Sequence, residues 1–383
     1  MNKRVAVIGV GWEGFRPATP DLSYKELMYA AAVRAYSDAG VDPRRDIDSF
    51  VTVAEDFHEG TSIFDEYTPD QMGAVLNSMH TIPGEGLHGL ATAYMMIKTG
   101  QFNIVAVEGH SKASNILTLP EITAHAQDPV INRPLRLNTH FVAGLEMNRY
   151  LYETGATREE CASVVVKNRH NALKNPSASY GAKLDTNDVL MARQLSWPLA
   201  ELDAADHVDG SIVMVLADEQ HALALSDNPI WILGIGWCNG SASLESREWG
   251  RILYIEKAAR MAYRQSGFEN PNGIVDIAEV DDTYAYKELQ SLEALGFFTP
   301  GEAGPATVAG ITASNGELPV NTSGGSLGMG HLLDATGLAR ALEIVLQLRG
   351  QAGIRQIDDL EVGLAQSWRG VPTTSGAVAV FSN

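Results

Sequence analysis

The sequence predicts an α/β fold built twice, as two copies of a β-α-β-α-β unit whose alternating strands and helices form mixed or parallel sheets covered by helices. Three internal matches carry this expectation. Ile8–Trp12 reads IGVGW and Leu233–Trp237 reads LGIGW, each an apolar strand ending in Gly-x-Gly-Trp. AAVRAYSDAG at Ala31–Gly40 matches AARMAYRQSG at Ala258–Gly267, and both read as helices closed by a C-terminal glycine. GLATAYMMIKTG at Gly89–Gly100 pairs with GLARALEIVLQLRG at Gly337–Gly350, again helices, followed by the strands NIVAVEG and LEVGLAQ. The three pairs keep their order, which divides the chain into residues 1–225 and 226–383.

The elements follow in turn. After the first strand, Ser23 and Glu26 form a capping-box start, and Met28, Ala31, Ala32 and Ala35 share one apolar face of the helix behind it. A Pro-containing turn then leads to a strand in each half, IDSFVTVA and IVDIAEV. The extra length of the first half lies at about 112–198: a Pro- and Asn-punctuated stretch, then the polar helix TREECASVVVKNRHNALKN, read as an inserted loop domain. Gly9, Gly11 and Gly14 spell G-x-G-x-x-G, but Pro17 and Pro20 interrupt before the helix signal at Ser23. A dinucleotide fingerprint needs its third glycine to enter a helix at once, so a tight strand exit is expected.

Composition narrows the function. With 383 residues, 45% of them hydrophobic, the chain is long enough for a large core. A formal net charge of -19 argues against nucleic acid or an anionic membrane as a general partner, while leaving room for a local basic groove around a phosphorylated ligand. Two cysteines, Cys161 and Cys238, rule out a disulfide framework and a CxxC zinc site, and fit a reducing cytoplasm. No export signal or membrane-spanning run is read. The ten histidines show no HExxH spacing, and no metal is expected. G-x-S-x-G and Walker motifs are absent from the sequence.

Chemistry concentrates in Val320–Leu338, VNTSGGSLGMGHLLDATGL. Its glycines let the backbone approach a ligand, and it delivers His331 to the mouth of a helix starting near Thr336, where free N–H groups favour developing negative charge. The equivalent point in the first half, where a nucleophile is expected, holds Pro83, Gly84, Glu85 and Gly86. EVDDTYAYKELQSLEALG at Glu279–Gly296 puts Asp281, Asp282, Tyr284 and Glu288 just past an apolar strand, where the acids either line a site or cap the following helix. His80, His110 and His140 have structural and catalytic readings, and both cysteines read as structural.

Taken together these segments resemble the thiolase superfamily over nearly the whole chain, closest to sterol-carrier-protein-type and archaeal-type thiolases and to the thiolase-like aldolases of steroid side-chain degradation. The resemblance implies a duplicated five-layer αβαβα fold. VNTSGGSLGMGHLLDATGLARA resembles the family's glycine-rich histidine block, which gives His331 the role of polarising a thioester carbonyl and places Ser323 and Gly324 by the coenzyme A. DDTYAYKELQSLEALG resembles the block in which Asp281 replaces a catalytic histidine and Tyr284 sits at the aromatic. KNRHNALKNP resembles the loop-domain helix near coenzyme A, with Lys167 and His170 at matching places. Asp209 and Gly210 keep the family's Asp-Gly.

Two departures shape the expected function. Where the family carries its nucleophilic cysteine this chain has IPGEGLHG, with Gly84 and Gly86 left to face the acyl oxygen, and the second family cysteine is replaced within GVPTTSGAVAV by Ser375 and Gly376. Without a thiolate there is no ordinary acyl-enzyme. The expectation is therefore an enzyme that makes or breaks a carbon–carbon bond beside an acyl-CoA thioester, by an aldol or retro-aldol route on a β-hydroxyacyl-CoA, with His331 polarising the thioester and Asp281 or Tyr284 moving the hydroxyl proton. The alternatives are a Claisen-type acyltransferase using another group and a silent acyl-CoA-binding subunit. Coenzyme A enters as part of the substrate, with no resident cofactor. The resemblance also implies a homodimer and a small zinc-ribbon and OB-fold partner protein.

Overall fold

The computed structural model describes residues 4–241 and 243–383. Its strands are β1 (Val5–Arg16), β2 (Ser49–Val53), β3 (Ser78–Ile82), β4 (Ile104–Ser111), the short pair β5 (Gln194–Ser196) and β6 (Leu199–Ala200), then β7 (Asp209–Asp218), β8 (Ile230–Asn239), β9 (Ile277–Glu279), β10 (Val362–Trp368) and β11 (Ser375–Ser382). Nine of them hydrogen-bond in the order β3-β2-β4-β7-β1-β8-β11-β10-β9. Read outward from the middle, β1-β7-β4-β2 is repeated by β8-β11-β10-β9. The repeat extends to direction: β2–β4 and β9–β10 are parallel, while the other pairs within the two sets are antiparallel.

Side-chain alternation then builds the layers. Along β1, Val5 and Val7 face one core while Ala6 and Ile8 face another. The outer core lies under helix α1 (Tyr24–Ala39), which starts on the Ser23–Glu26 capping box and ends at Gly40 with φ 68°. The middle core joins both strand sets around α2 (Gly86–Lys98): Val51, Val53, Val105 and Val107 come from the first set, Ala365, Ala377 and Ala379 from the second. The helix Thr336–Leu348, named α8 below, lies beside α2 and contributes Leu338, Leu342 and Ile344. The third core holds the loop-region helices α3 (Thr139–Thr154) and α4 (Arg158–Ala172) against α5 (Leu253–Ser266) and α6 (Ala285–Ala294). Helix, sheet, helix pair, sheet and helix give the five layers expected. Among the described residues, β1 and β8 join the two strand sets through two residue pairs, Ala6–Trp231 and Val7–Ile230.

The glycines of the repeated strand motif have one shared cause. A Cβ on Gly11 would stand 2.2 Å from the Ala31 carbonyl oxygen of α1, and one on Gly236 would stand 2.1 Å from that of Ala258 in α5. Each strand presses directly on helix backbone. β1 continues through Gly14 to Arg16, so the Gly9-Gly11-Gly14 run is strand and not a phosphate loop. Among the described residues no helix is long and apolar enough to cross a membrane.

Candidate active site

The site forms where the segments before α2 and α8 meet. Helix α7 (Gly325–Met329) and a tight turn carry the chain from Val320 to α8. This loop is fastened from below by buried acids. Asp282 accepts the N–H groups of Ser326 at 2.7 Å and Leu327 at 3.1 Å, and Glu279 accepts the Ser323 N–H at 3.0 Å and its hydroxyl at 2.6 Å. Arg340 of α8 lies 3.1 Å from Asp281 and 3.7 Å from Asp282. Burial pushes Asp282 up to about 6, against the pull of Arg340.

So fastened, the loop sets the His331 ring. Its backbone N–H donates to Asp206 and its carbonyl accepts from Val208, pairing the strand entering β7 with the histidine. Leu333, at φ 45°, turns its N–H back onto His331 Nδ1 at 3.2 Å. Burial first, then the neighbouring His207, Arg340 and His58, hold this imidazole well below its usual pKa, so it is neutral. With Nδ1 accepting, the ring proton is on Nε2, a hydrogen-bond donor.

A cavity of about 330 Å³ opens in front of it. His331, Glu85, Tyr284, His207, His140 and the His58–Asp334 pair line this space, with Leu119, Leu195 and Val371 among its apolar walls. His207 stands edge-on to His331, ring centres 5.1 Å apart. Burial, then the neighbouring imidazoles of His58 and His140, pushes His207 down to about 4. His58 differs: burial works against its charged form, but Asp334 at 2.8 Å and other carboxylates prevail and raise its pKa. Burial raises the Tyr284 phenol, with Glu146 and Asp281 adding to it, so Tyr284 keeps its proton. At neutral pH the cavity thus offers neutral imidazoles and a phenol as donors.

Glu85 closes the other side. It caps α2, its Oε2 accepting the Leu87 N–H at 3.2 Å and the Ser367 hydroxyl, and a Cβ on Gly337 of α8 would fall 1.9 Å from Oε1. Burial pushes the carboxyl up to about 7, although the Ser367 hydrogen bond and Arg340 pull the other way. A second cavity of about 270 Å³ adjoins the first, sharing His58, Thr123, Arg369 and Val371, and is lined further by Glu55, Asn239 and Ser375. Arg369 is ion-paired with Glu55.

The sequence-derived candidates divide accordingly. His331 and Tyr284 come together at the first cavity, and Ser375 lies at the second, bonded to Asn239 at 2.6 Å and 3.2 Å from His88 Nε2. Asp281 is not among the residues lining this cavity; it pairs with Arg340 and accepts the Thr283 N–H at 3.1 Å. Lys167, Ser323 and Gly324 are likewise engaged inside the fold. The Lys167 ammonium sits 3.1 Å from Glu288 and bonds the Val320 carbonyl, Ser323 bonds Glu279, and a Cβ on Gly324 would meet Ala172 of α4 at 2.6 Å. His170 is exposed on α4. Gly86 and Gly376 serve packing, since a Cβ would lie 2.4 Å from the Leu338 nitrogen and 2.4 Å from Ile255, respectively, and Gly84 is buried beside His88. Of the three isolated histidines, His140 lines the cavity, His110 is buried between Glu59 and Glu108, and His80 is exposed on β3.

The sequence reading missed Glu85, His207 and the His58–Asp334 pair as site groups. Glu85 carried a signal, a carboxylate between two glycines at a helix start. His207 and His58 carried none, being brought in by chain pairing.

Comparison with known proteins agrees with the fold. The family model "Thiolase C-terminal domain-like" matches residues 238–383. The acetyl-CoA acetyltransferase of Methanothermobacter thermautotrophicus is 31% identical over 386 residues, with 99% of each chain covered. The 17-hydroxy-3-oxo-4-pregnene-20-carboxyl-CoA lyase of Mycobacterium tuberculosis is 26% identical, with 98% of each chain covered. The solved Ltp2-ChsH2(DUF35) aldolase superposes with a TM-score of 0.84 at 26% identity, covering 99% of this chain and 97% of that one. Layered fold, cavity and likeness define a thiolase-like enzyme. The chain belongs to the thiolase superfamily.

Proposed function

We propose that this enzyme makes or breaks a carbon–carbon bond beside an acyl-CoA thioester without a covalent intermediate, by aldol or retro-aldol chemistry on a β-hydroxyacyl-CoA. The observation that carries this reading is a cavity lined by the Nε2–H donor His331 and the protonated phenol Tyr284, with neither cysteine on its wall. Cys161 is buried in α4, with burial pushing its thiol far up, and Cys238 lies on β8. His331 donates to the thioester oxygen and lowers the cost of enolate formation. Tyr284 donates to the β-oxygen and, keeping its proton, does not act as the base. The likeness to a lyase and an aldolase supports this direction of chemistry.

A second reading, Claisen-type acyl transfer, draws on the 31% identity to an acetyl-CoA acetyltransferase. The Ltp2-ChsH2(DUF35) aldolase carries a second named component. That supports a partner protein here; its zinc-ribbon and OB-fold type and a homodimer of this chain are proposed from the sequence resemblance.

The test is to incubate the chain, with and without its genomic neighbour, with a panel of β-hydroxyacyl-CoA thioesters and to follow shortened acyl-CoA and released carbonyl compound by mass spectrometry. Cleavage is expected, and His331→Ala should lower kcat by about 100- to 1,000-fold, the usual cost of losing one oxyanion donor. A stable acyl adduct on the protein would favour the Claisen reading, and binding without turnover in either direction would sink the aldol one.

A further inference from the structure

We infer that Glu85 is a catalytic residue, the group that takes the proton from the substrate β-hydroxyl and returns it to the α-carbon. The inference rests on the carbon–carbon reading above and supplies the base that Tyr284 and Asp281 do not.

Geometry carries it. Glu85 lines the same cavity as His331 and Tyr284 and is almost wholly buried. Its two oxygens have different lives. Oε2 accepts from Leu87 and Ser367, which completes a helix cap. Oε1 is buried with no hydrogen-bond partner. A cap needs one oxygen, and a fold ordinarily avoids burying a second one unsatisfied, because the lost hydration is not recovered. Oε1 packs against Gly337 of α8, and an unsatisfied carboxyl oxygen on a residue that lines the cavity calls for a donor that arrives with the ligand; a β-hydroxyl is such a donor.

The charge around it suits a proton carrier. His88 Nδ1 lies 4.0 Å away on the same helix, Ser367 approaches from β10, and the charges of Arg340 on α8 and Asp281 beyond β9 act in opposite senses. Across the cavity stand the neutral imidazoles of His331 and His207, then His140, the Tyr284 phenol, the His58–Asp334 pair and Arg369. With burial placing its carboxyl at about 7, Glu85 holds and releases a proton near neutral pH.

The step balances without an oxidant or reductant. The Glu85 carboxylate accepts the hydroxyl proton, and the freed O–H electron pair becomes the new carbonyl bond at Cβ. The Cα–Cβ bond breaks and its pair moves into the thioester, giving an enolate whose oxygen is held by His331. Protonated Glu85 then delivers the same proton to Cα. The products are an aldehyde or ketone and a shortened acyl-CoA, and the reverse sequence is the aldol addition.

The experiment compares wild type with Glu85→Gln, which keeps an oxygen for the cap. Two readouts are used: cleavage of the β-hydroxyacyl-CoA panel, and deuterium uptake from D2O into Cα of straight and branched acyl-CoA thioesters. Glu85→Gln should lower both rates by about 100- to 10,000-fold, the ordinary range for loss of a general acid–base group, with KM changed by less than about three-fold. Wild-type kcat/KM for cleavage should rise through about pH 7. Wild-type turnover with an equally active Gln variant would overturn the role of Glu85 alone, whereas a wild type that neither cleaves nor exchanges would overturn the aldol reading itself. Acyl transfer onto Glu85, seen as a mass shift on its peptide, would make it a nucleophile and also overturn the inference. Should the Gln variant not fold, Ser367→Ala serves instead: losing that hydrogen bond should move the pH midpoint upward, and an unmoved midpoint counts against Glu85.

Discussion

Glu85 is held where ionisation is disfavoured, and that has a measurable sign. Burial raises its carboxyl from 4.5 to about 7 in the folded chain, so the folded state binds the proton more tightly than the unfolded one. Its contribution to stability is present below the unfolded pKa and is lost as pH rises through about 7. Glu85→Gln should therefore raise stability at pH 8, by at most on the order of 3 kcal/mol, and the gain should vanish near pH 4. Denaturant titration of both chains across that range checks it; a gain independent of pH would mean the carboxyl is not the cause. The same residue shows what a sequence discloses at this scale. The carboxylate between Gly84 and Gly86 is plain to read, but its burial and the Ser367 hydroxyl that reaches it arise from residues 282 positions apart. Asp281 shows the same limit, since the Arg340 that engages it lies far outside its local pattern.

The glycine-rich segment before α8 was legible as an element, including its helix start and its histidine. Its fastening was not, because the fastening comes from acids on another strand-to-helix connection. Asp282 holds the N–H groups of the second and third residues of α7 and accepts the Asn168 amide at 2.8 Å, so one carboxylate ties β9, α4 and α7 together. Removing it leaves buried donors unsatisfied. Asp282→Ala should cost about 2–4 kcal/mol by that count, and should lower kcat more than it raises KM, because the loop it releases orients His331. Thermal melting and steady-state kinetics read the two effects separately. Wild-type kcat in a destabilised variant would detach the loop anchor from catalysis.

At the scale of the whole molecule the duplication was the clearest message of the sequence, and the strand order returns it: β1-β7-β4-β2 and β8-β11-β10-β9. The copies differ at their outer ends. Beyond β2 the first set adds β3, whereas beyond β9 the second has, among the described residues, a single bridge from Ala278 to Val320. β3 is thus an uncovered edge, with exposed Ser78 and His80, and it follows Val75 and Leu76, the latter fully exposed. Free backbone donors and acceptors beside apolar side chains favour pairing with another chain. A two-fold partner can satisfy such an edge with the same edge of a second copy. The chain is accordingly expected to be a dimer in solution, joined at β3, and Val75→Asp together with Leu76→Asp should shift it to monomer without loss of helix content, since both side chains already face solvent in the single chain. Light scattering coupled to size exclusion decides between the outcomes. A variant that keeps the wild-type mass, or a wild type that is monomeric at micromolar concentration, would place the covering of this edge elsewhere.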